Sequence, residues 1–476
     1  MIAAMIILFV GGYLLIALEH YVGINKAATA IVLGVLLWTM YMFCGDAQIV
    51  ETNRRAFEMF LAANPESASA ALREQVSAFV GQWQAINHLG DISSILFYLL
   101  CAMTIVELID AHGGFAIITR HIATRDKRRL LWMIAMISFF MSAVLDNLTT
   151  AIVMIMLLRK LVSSKKDRWL FAGIVVIAAN SGGAWTPIGD ITTIMLWINE
   201  NVTSFYLLTH LFLPSFVSML VPLLFVSARL KGEVSPPEEL RAKSESGHPV
   251  RLPAPARLSI LVLGVACLVS VPLFKAVTHL PPFMGILLAL GLMWVYTEIV
   301  YNRNKAIPHA QQHRIPFVLT RIDMPTILFF LGILMAVAAL ECAGVLHTAA
   351  AFLDGRLHNP YLINSAIGVL SSIVDNVPLV AAAMGMYPLL SPEAAAAAAD
   401  PAYMANFVQD GVFWQLLTFC AGTGGSILII GSAAGVVVMG LERMNFFWYL
   451  KNISLLALAG YAAGILTFLL QRLVFF

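Results

Sequence analysis

Charge is what this chain has least of. Only 12% of its 476 residues are Asp, Glu, Lys or Arg, against roughly 25% in an ordinary soluble domain. Sixty per cent are hydrophobic and the mean hydropathy is +0.85, which excludes a soluble globular fold. Several runs approach the ~20 apolar residues that cross a bilayer as a helix. The short alternating segments of a membrane β-barrel are missing. A net charge of +2 singles out no partner; the expected surroundings are lipid, with no nucleic acid. Metal-like cysteine spacing is missing too: Cys44, Cys101, Cys267, Cys342 and Cys420 are scattered through apolar segments and read as small buried hydrophobes. The opening "MIAAMIILFVGGYLLIALEH" lacks the basic region and cleavage site of a signal peptide and reads as a retained first span.

What is present is a series of apolar runs separated by basic loops. The runs fall near 2–18, 27–44, 92–110, 131–146, 147–162, 169–198, 205–228, 258–275, 282–301, 325–345, 361–375, 376–390, 412–440 and 446–470. Lys and Arg mark the cytoplasmic side of a membrane protein. Arg120, Arg125, Lys127, Arg128 and Arg129 precede the run pair around residue 146, and Arg159, Lys160, Lys165, Lys166 and Arg168 follow it. Two full spans need about 40 residues, and only about 30 lie between these loops. The pair therefore reads as a re-entrant hairpin (about 131–162) entering from the cytoplasm. A third basic loop (Arg229, Lys231, Arg241, Lys243, Arg251, Arg257) lies in the Pro- and Ser-rich linker 229–257. A fourth carries Arg303, Lys305, Arg314 and Arg321. Around the second pair, 361–390, only Arg356 is basic, so that hairpin (about 361–390) is expected to enter from outside.

The expected fold is an all-α polytopic membrane protein of two inverted-topology repeats, each with a re-entrant hairpin and a broken transmembrane helix. The N-terminal spans cover 1–44, a polar amphipathic outer segment 45–91, repeat 1 92–228 and repeat 2 258–445, with a C-terminal span in 446–476. The broken helices are placed at about 169–198 and 412–440. "SPEAAAAAAD" reads as a helix former near the outer surface, and 45–91 shows no catalytic constellation.

Chemistry concentrates where the repeats agree. "SAVLDNL" (Ser142–Leu148) and "SSIVDNV" (Ser371–Val377) each set an Asp-Asn pair in apolar surroundings. A mid-membrane carboxylate costs roughly 2.5–3.5 kcal/mol, so Asp146 and Asp375 are expected to face a hydrated cavity or a cation. A hairpin tip adds free helix-end C=O and N–H groups. Asn147, Thr149, Thr150 and Asn376 add neutral oxygens, which suit a small hard cation such as Na⁺ or Li⁺. "NSGGAWTPIGD" (Asn180–Asp190) and "GTGGSILIIGS" (Gly422–Ser432) interrupt spans with glycine, through Ser181, Gly182 and Gly183 in one and Thr423, Gly424 and Gly425 in the other. Asp190, with Thr192 beyond it, is a third intramembrane carboxylate, and Ser432 stands at its place in repeat 2.

Each candidate has a plainer role beside the functional one. Asp146 and Asp375 would pair with helix ends, and Asp190 would cap a half-helix. Ser371, one turn before Asp375, would bond to it or ease helix packing. Glu107 and Glu341, secondary candidates at comparable places in the repeats, would snorkel at span ends. His112, His121, His309 and His313 would be solvated loop histidines rather than tuners of a pH response.

Together "LDNLTT", "VDNVPL", "NSGGAWTPIGDITT" and "GTGGSILIIGSAAG" resemble the NhaD-type Na⁺/H⁺ antiporters of the ion-transporter superfamily, over about residues 90–445. The resemblance implies the two-repeat fold, a homodimer, and a bacterial inner (cytoplasmic) membrane location. Na⁺ would bind at Asp146, Asn147, Asp375 and Asn376, with Asp190 and Thr192 assisting. Symporters of the superfamily carry Ser-Asn-Thr at these tips, and Pro378 departs from that pattern. No cofactor is implied; Na⁺, or Li⁺, and H⁺ are cargo, exchanged by alternating access as carboxylates bind one or the other. A coupled anion transporter (carboxylate symporter or arsenite-type efflux) is the alternative, disfavoured because neither tip has Lys or Arg nearby. An intramembrane aspartyl protease would need Gly-x-Gly-Asp, whereas the chain reads "PIGD". The expectation is a secondary transporter, not an enzyme.

Overall fold

The computed structural model describes residues 1–17, 19–114, 124–234, 253–303, 314–373 and 375–475. Among them, seven helices are long and apolar enough to cross a membrane, and an eighth span arises if Lys26–Met42 is joined to Asp46–Thr52 across a 104° bend. The protein is an all-α, multi-pass membrane protein. Its contacts divide it into two compact units. Met1–Phe97, Asp323–Asn359 and Val377–Leu389 form one, and Tyr98–Ile322, Pro360–Asn376 and Leu390–Phe476 form the other.

The larger unit is built on two helices that stop short. Lys165–Gly183 ends at Gly183, and the chain resumes as Ile191–Ile198; Val412–Gly424 is likewise followed, after a gap, by Ala433–Glu442. Every residue of Phe171–Gly183 and of Val412–Gly424 is buried, so these two segments are the unit's core. A polar cap opens each resumed helix. Asp190 accepts from the Thr192 N–H (3.1 Å) and Ser432 from the Gly435 N–H (3.2 Å). The two caps share one backbone conformation, φ −147°, ψ 146° at Asp190 and φ −144°, ψ 151° at Ser432.

Two broken helices cross this unit in opposite directions. Arg168, in the first turn of one, bonds Glu442, the last residue of the other (2.6 Å). At the far end, the Asp410 N–H, just before Val412, donates to Asn201 O (2.9 Å), just after Ile198.

Lys127–Leu145 and Asn147–Leu161 pack on each other and on Lys165–Gly183. Lys127 pairs with Asp167 (2.8 Å), and Arg159 pairs with the same Glu442 that holds Arg168 (2.9 Å). The chain therefore goes in and returns to the end it left, as a hairpin turning at Asp146. Gly232–Val234 bonds back to Arg125–Lys127 through Lys127 N–H to Gly232 O (3.1 Å) and Val234 N–H to Arg125 O (2.7 Å). Residues 125–128, Arg159, Arg168 and the start of the third basic loop, 230–234, thus gather at one end. Arg120, Lys305 and the linker residues Arg241, Lys243 and Arg251 lie outside the described residues, as do His121, His309 and His313.

Pro360–Leu370 lies along Val412–Gly424 just as the first hairpin arm lies along Lys165–Gly183. Ser142 Oγ donates to Ala179 O (2.6 Å) and Ser371 Oγ to Ala421 O (2.9 Å). The Gly182 Cα faces the Phe139 carbonyl, and the Gly424 Cα faces the Gly368 carbonyl, so close that neither position has room for a Cβ. Matching contacts thus recur at matching distances from the two Asp-Asn pairs.

In the smaller unit, Lys26–Met42 packs on Met324–Cys342. A buried polar ring joins Tyr41, Gln84 and Asn53: Tyr41 Oη donates to Gln84 Oε1 (3.1 Å), and Gln84 Nε2 to Asn53 Oδ1 (3.0 Å). One continuous helix, Leu72–Ala111, with a π turn at Phe79–Gln84, runs through residues 91 and 92 and on past Phe97, where the first segment of the smaller unit ends. Helix growth is cooperative once nucleated, and polarity alone does not stop it. The alanine run is helical only over Pro392–Ala396. All five cysteines are buried and unpaired with one another.

Candidate functional site

The first hairpin turns on a single residue. Asp146 has φ 90° and ψ 155°, a region nearly restricted to glycine and costing about 1–3 kcal/mol for other residues. Its side chain offsets part of that cost by capping the second arm: Oδ1 accepts from the Thr149 N–H and Oδ2 from Thr149 Oγ1, each at 2.8 Å. Thr149 is thereby committed to Asp146. The Thr150 hydroxyl, fully buried one residue on, has no hydrogen-bond partner among the described residues. Buried hydroxyls are nearly always satisfied by protein, water or an ion, so Thr150 presents an open oxygen.

Asn147, at the start of the same arm, points its amide inward. Nδ2 donates to Asp190 Oδ2 (2.8 Å) and to Asn180 Oδ1 (3.1 Å). Asn180 in turn donates to Ser426 Oγ and Ser432 Oγ of the other broken helix, both at 2.9 Å. Asp190 is 1% exposed, and its oxygens divide their work. Oδ1 caps Ile191–Ile198 through the Thr192 N–H and Oγ1, both at 3.1 Å, while Oδ2 receives Asn147 and, at 3.4 Å, Asn376 Nδ2. Among the described residues, no Lys or Arg pairs with Asp190. Asp146 and Asp375 lie within Coulombic reach of it.

Asp190, Asn147, Asn376 and Thr192 are thus brought together by the turn at Asp146, the residue that opens Asn376–Met386, and a broken helix. Asp375 sits half-buried immediately before Asn376. Ser371 gives its hydroxyl hydrogen to Ala421 O rather than to Asp375, which is the packing role. In the first break, Ser181 bonds Ser218 (3.4 Å); in the second, Thr423 bonds Phe419 O (2.6 Å). Gly183 and Gly425 each bring the chain against the glycine that closes the break, Gly189 or Gly431. Glu107 is not among the Asp190 contacts and pairs with Arg321 (2.9 Å). Glu341, in the smaller unit, lines a cavity of about 950 Å³ with Asn53, Thr52 and His347. His112 is a core residue, not a solvated one: it is buried between Leu108 O (2.6 Å) and Tyr301 Oη (2.7 Å).

Sequence reasoning passed over Asn180, although it opens the "NSGGAWTPIGD" motif. Its signal was an amide in a run otherwise apolar or small. No three His, Cys, Asp or Glu side chains converge among the described residues, so oxygens for a hard cation would come largely from amides, hydroxyls and the backbone.

Discontinuous helices running in opposite directions around a buried carboxylate are the build of a secondary transporter. A family profile described as a citrate transporter (CitMHS) matches residues 13–408. "Sodium/proton antiporter 2" of Arabidopsis thaliana is 43% identical over 98% of this chain and 98% of its own length. The "Na(+)/H(+) antiporter NhaD" of Vibrio cholerae is 29% identical over 98% of this chain and 91% of its own, and that of Vibrio parahaemolyticus 32% over 79% and 90%. The chain belongs to this transporter family, as an NhaD-type member of the ion-transporter superfamily.

Proposed function

We propose that the chain exchanges cytoplasmic Na⁺, or Li⁺, for external H⁺, with Asp190 as the carboxylate that both ions share and the two hairpin tips as the walls of its site. The observation that carries this reading is Asp190 Oδ2, buried, held by Asn147 and Asn376, and paired with no Lys or Arg among the described residues. Either H⁺ or Na⁺ neutralises it. A bare carboxylate costs roughly 2.5–3.5 kcal/mol in mid-membrane, so the loaded states cross the midplane and the empty one does not. Exchange follows from that inequality. Asn147 and Asn376 donate to the anion; rotation of either amide turns a carbonyl oxygen toward an arriving cation, and Thr150 Oγ1 adds another. In this reading the opposed broken helices and hairpins are two inverted repeats that expose the site to each side alternately. The relatives named as sodium/proton antiporters support the choice of ions.

The word citrate in the family description raises the anion alternative. One negative charge held about 4 Å from Asp190 would be repelled by about 4 kcal/mol at an effective dielectric of 20, and citrate carries several. The test is a ΔpH dye assay in everted vesicles, adding Na⁺, Li⁺, K⁺ or citrate. Dequenching with Na⁺ or Li⁺ supports the proposal; a response to citrate alone defeats it.

Thr150→Val probes the open hydroxyl. Removing an unsatisfied buried hydroxyl leaves stability unchanged or raises it by about 1 kcal/mol, while KM for Na⁺ rises severalfold with the maximal rate preserved. An unchanged KM would remove Thr150 from the site.

A further inference from the structure

Far from the tips, Glu442 closes a frame around the site. Its side chain is 0% exposed and accepts from Arg159 Nε (2.9 Å) and Arg168 Nε (2.6 Å). Arg159 Nη2 also donates to Leu441 O, and Trp169 Nε1 to Glu442 O (3.1 Å). Two helices lead from this cluster back to the site. One is the second hairpin arm, from Asn147 to Arg159, about 18 Å at 1.5 Å per residue. The other, Ala433–Glu442, begins at Ser432, about 15 Å from Glu442 on the same count. These helices pack against each other. At the near end they are joined through Asn180, which bonds both Asn147 and Ser432; at the far end they are joined through Arg159 and Glu442. Both run away from the site, so they are parallel struts fixed at each end.

We infer that Glu442 is a positioning residue for cation binding: by holding Arg159 it sets the axial register of the hairpin arm, and so delivers the Asn147 amide to Asp190. The inference rests on the proposed role of Asp190 and adds a residue that touches neither ion. A slip of one helical turn moves the arm by about 5.4 Å, enough to take Asn147 Nδ2 out of reach of both Asp190 and Asn180. Arg168 and Lys127 do not replace this function. Arg168 belongs to the helix that carries Asn180, and Lys127 anchors only the first arm, through Asp167. Glu442 is the carboxylate on which the second arm's Arg159 closes.

Everted-vesicle transport separates this role from a merely structural one. Glu442→Gln raises KM for Na⁺ at least fivefold with the maximal rate, per folded protein by detergent gel filtration, within twofold of wild type. Glu442→Asp, which keeps the charge, lies between. Combined with Asn147→Ser, the Glu442→Gln penalty on KM shrinks below twofold, because both act through one amide. Should Glu442→Gln not fold, Arg159→Lys loses the forked contact to Glu442 and Leu441 O, and is expected to raise KM in the same way. Additive effects, or a reduced maximal rate with KM unchanged, would overturn the inference. If the wild-type protein gives no Na⁺ or Li⁺ response, the transport reading fails instead.

Discussion

Asp190→Asn is expected to reduce Na⁺- and Li⁺-driven dequenching to the level of vesicles without the protein, while the protein folds and purifies as wild type. The two halves of this outcome have separate causes. Asn ranks with Asp as a helix N-cap, so its carbonyl can keep the Thr192 N–H bond that Asp190 Oδ1 makes (3.1 Å), and stability should stay within about 1 kcal/mol. At Oδ2 the exchange is not conservative. An amide nitrogen there faces the Asn147 and Asn376 amides, donor against donor, and carries no charge for H⁺ or Na⁺ to neutralise. Asp190→Glu keeps the charge one methylene too far out and should retain a weakened response. Full exchange in Asp190→Asn would move the shared site to Asp146 or Asp375; loss of folded protein would mean that the substitution cannot report on the charge.

Much of this site could be read from the chain because it departs from what a membrane interior tolerates. Asp146, Asp190 and the glycines of the breaks are costly or helix-weakening residues in apolar runs, and such residues announce themselves. Asp190 was legible as a cap, and a capping carboxylate keeps a second oxygen, which here takes the Asn147 amide. Asn180 was not, since its partners Ser426 and Ser432 lie 246 and 252 residues away and neither serine is unusual in its own segment. Glu442 was hidden differently. It falls just beyond an apolar run, and Arg159 and Arg168 were informative only as loop charge until folding set them on one carboxylate. The 72–111 helix was missed because polarity changes near residue 91, whereas the backbone hydrogen bonds that define a helix do not depend on which face meets lipid.

The largest structural effect should come from adding a single methyl group at a helix crossing. At Gly182 a Cβ would meet the Phe139 backbone carbonyl, and at Gly424 the Gly368 carbonyl. The Phe139 carbonyl, inside Lys127–Leu145, cannot rotate away without giving up its helical hydrogen bond, so that arm itself must shift outward; Gly368, in the last turn of Pro360–Leu370, meets the new methyl with its backbone, and that turn must shift. Overpacking of this kind costs typically 1–3 kcal/mol, and sometimes more. Moving the arm also strains Ser142 Oγ to Ala179 O in the first pair, and Ser371 Oγ to Ala421 O in the second. A hydrogen bond contributes about 1 kcal/mol net. Gly182→Ala and Gly424→Ala should therefore each lower the thermal unfolding midpoint in detergent by several degrees. Gly440→Ala, where a Cβ meets nothing within 4 Å, should leave it unchanged. Gly182→Ala should also weaken Na⁺ binding, because the arm it would displace, Lys127–Leu145, ends at Asp146. If the two variants melt like wild type, the hairpin arms do not lie as closely on the broken helices as the matching contacts require.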